Sequence, residues 1–165
     1  MLLRESGRDS AWSRWPALLW LAVLLSLAAC QVKLVADYDQ ATFEGILQAA
    51  KKVDLFYGQL LERSENARPY APFATQYVDI ESDLRSLVTR NQARPLNQES
   101  TKISETILNL WLKYKAAHQA NDGYKTALAK LDRKRFTRLF NAAASAEQAK
   151  QLSAGDRDSE KPSNE

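Results

Sequence analysis

Cys30 and His118 are the side chains in this sequence best suited to nucleophilic or metal chemistry, and each is the single residue of its type. Thiolates act as nucleophiles, and thiolates with imidazoles form the usual ligand sets of zinc. One residue of each type cannot supply such a set, and the sequence has no CxxCH, EF-hand, GxSxG or GxGxxG pattern. We therefore expect no enzyme activity, no metal site and no cofactor, and we interpret His118 as a solvated residue near a helix end.

The residues before Cys30 have the order of a secretory signal peptide. Arginines at positions 4, 8 and 14 come first, and the segment 17–29 that follows is apolar apart from Ser26. Small residues then precede the cysteine, which completes the positive, apolar and small-residue regions of a signal peptide. The apolar segment is too short for a transmembrane helix, which needs about 20 apolar residues.

The end of this segment, Leu27-Ala28-Ala29-Cys30, resembles the lipobox of bacterial lipoprotein precursors. The resemblance implies lipidation of the Cys30 thiol, cleavage after Ala29 and acylation of the new amino terminus. It would also explain a lone cysteine, which in a secreted protein would otherwise be a free reactive thiol. Two acyl chains suffice for stable membrane attachment.

The residues after the cysteine bear on which membrane carries the anchor. In lipoprotein sorting, an Asp next to the cysteine favours retention in the inner membrane, whereas Gln31 and Val32 stand here. The resemblance therefore implies the periplasmic face of the outer membrane. The inner membrane, or the single cell membrane of a Gram-positive organism, is the alternative.

The rest of the chain has the apolar spacing of helices and no strand-like alternation. We predict a signal peptide over 1–29, a lipidated tether over 30–38, a helical bundle over 39–152 and a disordered polar tail over 153–165. The glycines at 45 and 58 are expected to mark close helix crossings. Four apolar stripes follow one another: Phe43, Ile46, Leu47, Ala50, Val53, Tyr57, Leu60 and Leu61; Phe73, Tyr77, Ile80, Leu84, Leu87 and Val88; Ile103, Ile107, Leu110, Trp111, Tyr114 and Ala117; and Tyr124, Leu128, Leu131, Phe136, Leu139, Phe140 and Ala143.

The segment 120–123 leaves two all-α architectures open. Its sequence, Ala-Asn-Asp-Gly, is typical of a turn. A fold-back there gives an up-down four-helix bundle. The apolar spacing also runs through the segment without a phase slip, which would give a three-helix body with one long helix from about 98 to 152. We favour the fold-back because it buries Phe136, Leu139 and Phe140 within one chain.

Two surface features are candidate contact sites. Lys130, Lys134 and Arg138 are four residues apart and share a helix face, which is either a solvated surface or a contact face for anionic groups. Arg68, Tyr70 and Phe73 lie in a proline-containing segment. They form either a rigid platform for a partner or an apolar staple that closes the end of the bundle.

These observations favour a non-catalytic, membrane-anchored periplasmic lipoprotein that acts as a helical protein-interaction or assembly module of the bacterial envelope. Its expected partners are the membrane, through the lipid on Cys30, and another envelope protein. The formal net charge of +3 is too small to indicate nucleic-acid binding. A small envelope hydrolase would instead show a cleft holding a carboxyl group of raised pKa, and a small-molecule-sensing bundle would show an internal cavity. The sequence leaves the oligomeric state open.

Overall fold

The computed structural model describes residues 34–159, with side chains for 34–152. The predicted signal peptide and residues 30–33 of the tether, with the lipidation site Cys30, lie outside the described residues, as do residues 160–165 of the tail. From Val35 onward the described chain forms one compact unit.

Four α-helices make up this unit, and the described residues contain no strand. They are α1 (Gln40–Glu62), α2 (Ala74–Gln92), α3 (Gln98–Asn121) and α4 (Thr126–Ser159), with two short 3₁₀ helices, Glu65–Ala67 and Ala71–Phe73, between α1 and α2. The predicted all-α, four-helix architecture is confirmed. The backbone of α4 continues past the predicted boundary at 152 as far as Ser159.

The starts of α1, α2 and α3 lie at residue types that favour helix starts, and at α1 the side chain also makes the capping bond. A side-chain oxygen of Asp39 accepts a 2.6 Å hydrogen bond from the Thr42 amide, so Asp39 caps α1. Pro72 lies in the 3₁₀ turn that leads into α2, where its missing N–H costs little. Asn97 occupies the N-cap position of α3, but its side chain makes no capping bond there.

The chain folds back between α3 and α4, which excludes the continuous helix from 98 to 152. α3 ends at Asn121, and Asp122 caps it in the left-handed region with φ 44°. An Asp tolerates this backbone conformation better than most residues, so the turn-like composition was informative. The reversal buries Phe136 and Phe140 inside the bundle.

α1 packs mainly against α4 and α2 against α3, and the pairs α1–α2 and α3–α4 complete the bundle. Aromatic rings fill its centre: Phe56 meets Phe73, Tyr77 and Trp111 in edge-on geometry, with ring centroids 4.6–5.7 Å apart. The Trp111 indole N–H donates to the Tyr77 carbonyl at 3.2 Å, so this buried polar group is paired. The residues of this core cluster lie between Ile46 and Ala143.

Several predicted core positions are wrong. Leu47, Leu128 and Leu131 are 48%, 49% and 43% exposed, whereas Phe56 and Ala129, which the predicted stripes leave out, are buried. Over the first two turns of α4, the buried positions therefore lie one residue later in the sequence than predicted. Leu128 and Leu131 were assigned to the core for their apolarity, but the α4 register places them outside.

The two glycines of α1 differ in their surroundings. A Cβ added at Gly45 would lie 3.1 Å from Cδ2 of Leu87 on α2, so a close helix crossing is confirmed there. A Cβ added at Gly58 would meet nothing within 4 Å, so the same expectation is wrong for Gly58.

Candidate functional site

His118 is buried, with 1% of its surface exposed, which corrects its interpretation as a solvated residue. Nδ1 lies 2.9 Å from the Tyr77 hydroxyl, and Nε2 lies 3.0 Å from the Arg68 carbonyl. A carbonyl oxygen only accepts, so Nε2 carries the proton and Nδ1 accepts from Tyr77. Burial lowers the His118 pKa and outweighs the opposing effect of the Arg68 carbonyl. The imidazole is thus a neutral, fully bonded part of the core.

Arg68 and Phe73 are also buried, with 3% and 1% of their surfaces exposed, so the exposed partner platform is not present. The Arg68 guanidinium donates to the carbonyls of Arg63 and Tyr124 and to the Thr126 hydroxyl, at 2.6–3.1 Å. It joins the end of α1 to the start of α4. Tyr70 is half-buried and stacks on Tyr77. The segment closes the end of the bundle, as the alternative interpretation held.

A chain of buried polar side chains begins beside this closure and ends at the surface. The hydroxyls of Tyr57 and Tyr124 are 3.3 Å apart, and Tyr124 donates to Oδ2 of Asp132 at 2.8 Å. Arg135 then donates to Oδ1 of Asp132 at 3.0 Å and to the Tyr114 hydroxyl at 2.7 Å. Burial raises the pKa of both Tyr57 and Tyr124, so both remain protonated donors at neutral pH. Asp132 is 4% exposed, and each of its carboxylate oxygens has a partner.

Asp132 and Arg135 line an open cleft of about 630 Å³ at the α3–α4 end of the bundle. Tyr114, Tyr124 and Leu128 supply apolar surface to it. Its lining is Glu65, Lys113, Tyr114, Ala117, His118, Asn121, Gly123, Tyr124, Lys125, Leu128, Asp132 and Arg135, and we call this site the cleft. Its volume lies in the range of about 300–1,000 Å³ typical of small-molecule sites.

The predicted contact residues Lys130, Lys134 and Arg138 are all exposed on α4, and we call them the basic face. None of the three forms an ion pair with another described residue. The half-exposed leucines 128 and 131 lie on the same half of the helix. The outer surface of α4 is therefore both basic and apolar. Contact with an anionic surface remains a prediction.

A second polar cluster lies at the opposite end of the bundle, where the tether enters. The Glu147 carboxylate is 1% exposed and accepts from the Asp39 amide at 2.8 Å, from Arg94 at 3.0 Å and from Lys150 at 2.6 Å. Lys150 also donates to Oδ1 of Asn97 at 2.6 Å. Burial raises the Glu147 pKa, but the bonds from Arg94, Lys150 and Asp39 outweigh it and leave the pKa lowered. We call Asp39, Arg94, Asn97, Glu147 and Lys150 the tether clamp.

Sequence reasoning missed the inward positions of Asp132, Glu147 and Lys150. Charged residues on a helix are usually exposed, so the residue types alone argue against burial of these three. One weak signal existed, because Asp132, Phe136, Phe140, Ala143 and Glu147 continue one helical stripe.

Within residues 34–152, no group of three or more His, Cys, Asp or Glu side chains is arranged to hold a metal ion. No described helix is long and apolar enough to cross a membrane. Comparison of the sequence with protein-family models, with curated proteins and with solved structures found no match.

Proposed function

We propose that this protein is a non-catalytic, lipid-anchored module of the bacterial envelope that binds a partner protein through the outer surface of α4. The observation that carries the proposal is the basic face, whose three cations are exposed and unpaired within residues 34–152, beside two half-exposed leucines. Apolar surface flanked by unpaired charge is typical of a protein-binding surface. The partner would present acidic and apolar side chains.

Five carboxyl groups of the bundle have pKa values shifted in the direction opposite to the one that a carboxylate hydrolase needs. A carboxylate hydrolase needs an acid of raised pKa to protonate the leaving group. The pKa is lowered for Asp39, Asp54, Glu65, Glu81 and Glu147, chiefly by hydrogen bonds from neighbouring donors. His118 has both ring nitrogens engaged in the core.

The anchor and the binding surface would lie at different positions along the axis of the bundle. The lipobox-like Cys30 precedes Asp39, which the tether clamp holds beside Glu147 near the end of the packed bundle. Lys134 and Glu147 are both on α4, 13 residues apart in the sequence, which corresponds to roughly 20 Å along a helix at about 1.5 Å per residue. The basic face would thus be presented away from the point of attachment.

In-cell crosslinking of the tagged full chain tests the proposal. We expect a stoichiometric envelope partner in the wild type and its loss in the triple variant Lys130→Gln, Lys134→Gln, Arg138→Gln. The matched control is Lys51→Gln, Arg90→Gln, Lys102→Gln, which removes the same charge from exposed positions on α1, α2 and α3.

The lipid anchor is tested in the same cells with Cys30→Ala. We expect metabolic labelling by a fatty acid in the wild type, none in the variant, and weaker partner capture. Capture that is equal in the basic-face variant and the matched control would contradict the proposed surface. Fatty-acid labelling that survives Cys30→Ala would contradict the anchor.

A further inference from the structure

The cleft has a positive charge that its own carboxylates do not neutralise. The Glu65 carboxylate accepts the Thr126 amide at 2.8 Å, and the Asp132 carboxylate is held by Tyr124 and Arg135. The bond from Thr126 lowers the Glu65 pKa, so this group stays ionised and engaged at neutral pH.

Two lysines of the cleft remain without such partners. Lys113 on α3 and Lys125 before α4 both line the cleft and are exposed, and neither forms an ion pair within residues 34–152. Arg135 leaves about half of its side-chain surface open, at 48%. An anion that enters the cleft would therefore meet three cationic groups, only one of which is already paired with a carboxylate.

Beside these cations, the lining of the cleft also includes apolar surface. Leu128 is 49% exposed and lines the site together with Ala117 and the tyrosines 114 and 124. The two tyrosine hydroxyls are already bonded within the protein, to Arg135 and to Asp132 respectively, which fixes the orientation of both rings. Rigid apolar walls with a few placed polar groups are characteristic of small-molecule sites.

We propose that the cleft binds a small amphipathic anion, with an apolar or aromatic body against Leu128 and the tyrosine rings and a single acidic group between Lys113 and Lys125. Carboxylate, sulfonate and phosphate groups share the required chemistry. The cleft shares Leu128 with the proposed partner surface but none of the cations of the basic face, because Lys130, Lys134 and Arg138 do not line the cleft.

The test uses 8-anilinonaphthalene-1-sulfonate as the probe and the chain from residue 31 onward, which retains the whole described core. We expect one saturable site by fluorescence titration. The double variant Lys113→Gln, Lys125→Gln should weaken binding by about tenfold, because two favourable charge interactions are lost. The control Lys130→Gln, Lys134→Gln carries the same charge change on the outer surface of α4 and should bind as the wild type does.

A neutral probe separates charge recognition from general hydrophobic adsorption. N-phenyl-1-naphthylamine has a similar ring system without the sulfonate, and we expect it to bind at least tenfold more weakly. Near-UV circular dichroism verifies that each variant keeps native packing. Non-saturable binding, equal affinities of the two double variants, or equal affinities of the anionic and neutral probes would each overturn the proposal.

Discussion

His118 shows what a single buried polar residue does in this bundle. Its two nitrogens connect the Tyr77 hydroxyl of α2 to the Arg68 carbonyl of the closing segment, and its ring contacts Tyr70, Phe73 and Tyr124. A truncation at this position would leave two buried polar groups unpaired, at a cost of about 1–3 kcal/mol each. The residue therefore stabilises the end of the bundle that carries the cleft.

The lowered His118 pKa predicts a pH-dependent stability. In the unfolded chain the pKa of a histidine is about 6.5. Below that pH, His118 binds a proton more readily in the unfolded chain than in the folded one. The contribution of His118 to the free energy of unfolding should therefore be fully present above that pH. It should decrease as the pH falls toward the folded-state pKa of His118. Urea unfolding at pH 7.5, 6.5 and 5.5 measures this dependence.

The matched variant for this prediction is His118→Gln. It should be less stable at pH 7.5 but should lose the dependence between pH 7.5 and 5.5, since His118 is the only histidine. The carboxyl groups of lowered pKa lose their stabilising effect only at more acidic pH, as the pH falls through their folded-state values. Equal pH dependence in the two proteins would show that His118 is not the titrating group.

At the scale of helices, apolar spacing predicted the four-helix fold and the fold-back, but not the register of α4. The inner stripe of α4 contains Glu147 and Lys150, which also have partners far away in the sequence. Arg94 and Asn97 each lie 53 positions from their partner on α4. Such pairs depend on tertiary geometry, whereas hydrophobic periodicity reports only which residues favour burial. The same limit explains why the cleft was not predicted.

The two glycines of α1 allow a test of helix packing against helix propensity. Gly58→Ala should raise the free energy of unfolding by up to about 1 kcal/mol, because Ala is the better helix former and its methyl group meets open space. Gly45→Ala gains the same propensity, but its methyl group would press on Leu87 at 3.1 Å. We expect it to be the less stable of the two variants by chemical denaturation. A Gly45→Ala protein as stable as Gly58→Ala would mean that α1 and α2 separate at little cost.

Considered as a whole, the molecule places different chemistry at its two ends. The α3–α4 end holds the open cleft, whereas the other end holds the tether clamp, in which charged groups are buried and bonded to one another. The clamp joins three parts of the chain: Glu147 and Lys150 of α4, Arg94 and Asn97 between α2 and α3, and the segment that leads into α1. Arg94 also donates to the Asp37 carbonyl, and the Ala36 amide donates to the Leu96 carbonyl at 3.1 Å.

This arrangement predicts that Glu147 fixes the segment 36–39 to the body of the bundle. Glu147→Gln removes the charge that compensates Lys150, which is only 4% exposed at its side chain. Leaving one partner of a buried pair uncompensated costs about 3–5 kcal/mol. The control Glu99→Gln removes a carboxylate that is 84% exposed, and we expect little change there because surface ion pairs contribute weakly.

Amide hydrogen exchange distinguishes two roles for Glu147. Either it fixes the segment 36–39 to the bundle, or it only joins α4 to the α2–α3 connection. In Glu147→Gln, exchange should accelerate at the amides of Asp39 and Ala36, since the first bonds Glu147 directly and the second lies in the segment that Glu147 and Arg94 hold. The Trp111 backbone amide, in the centre of α3, should change only as far as global stability falls. One outcome is that the exchange rates at Asp39 and Ala36 rise only by the amount that the loss of global stability explains. In that case Glu147 joins α4 to the α2–α3 connection and does not hold the segment 36–39. If their exchange exceeds that limit, the buried pair holds the chain at the point where it leaves the bundle toward Cys30.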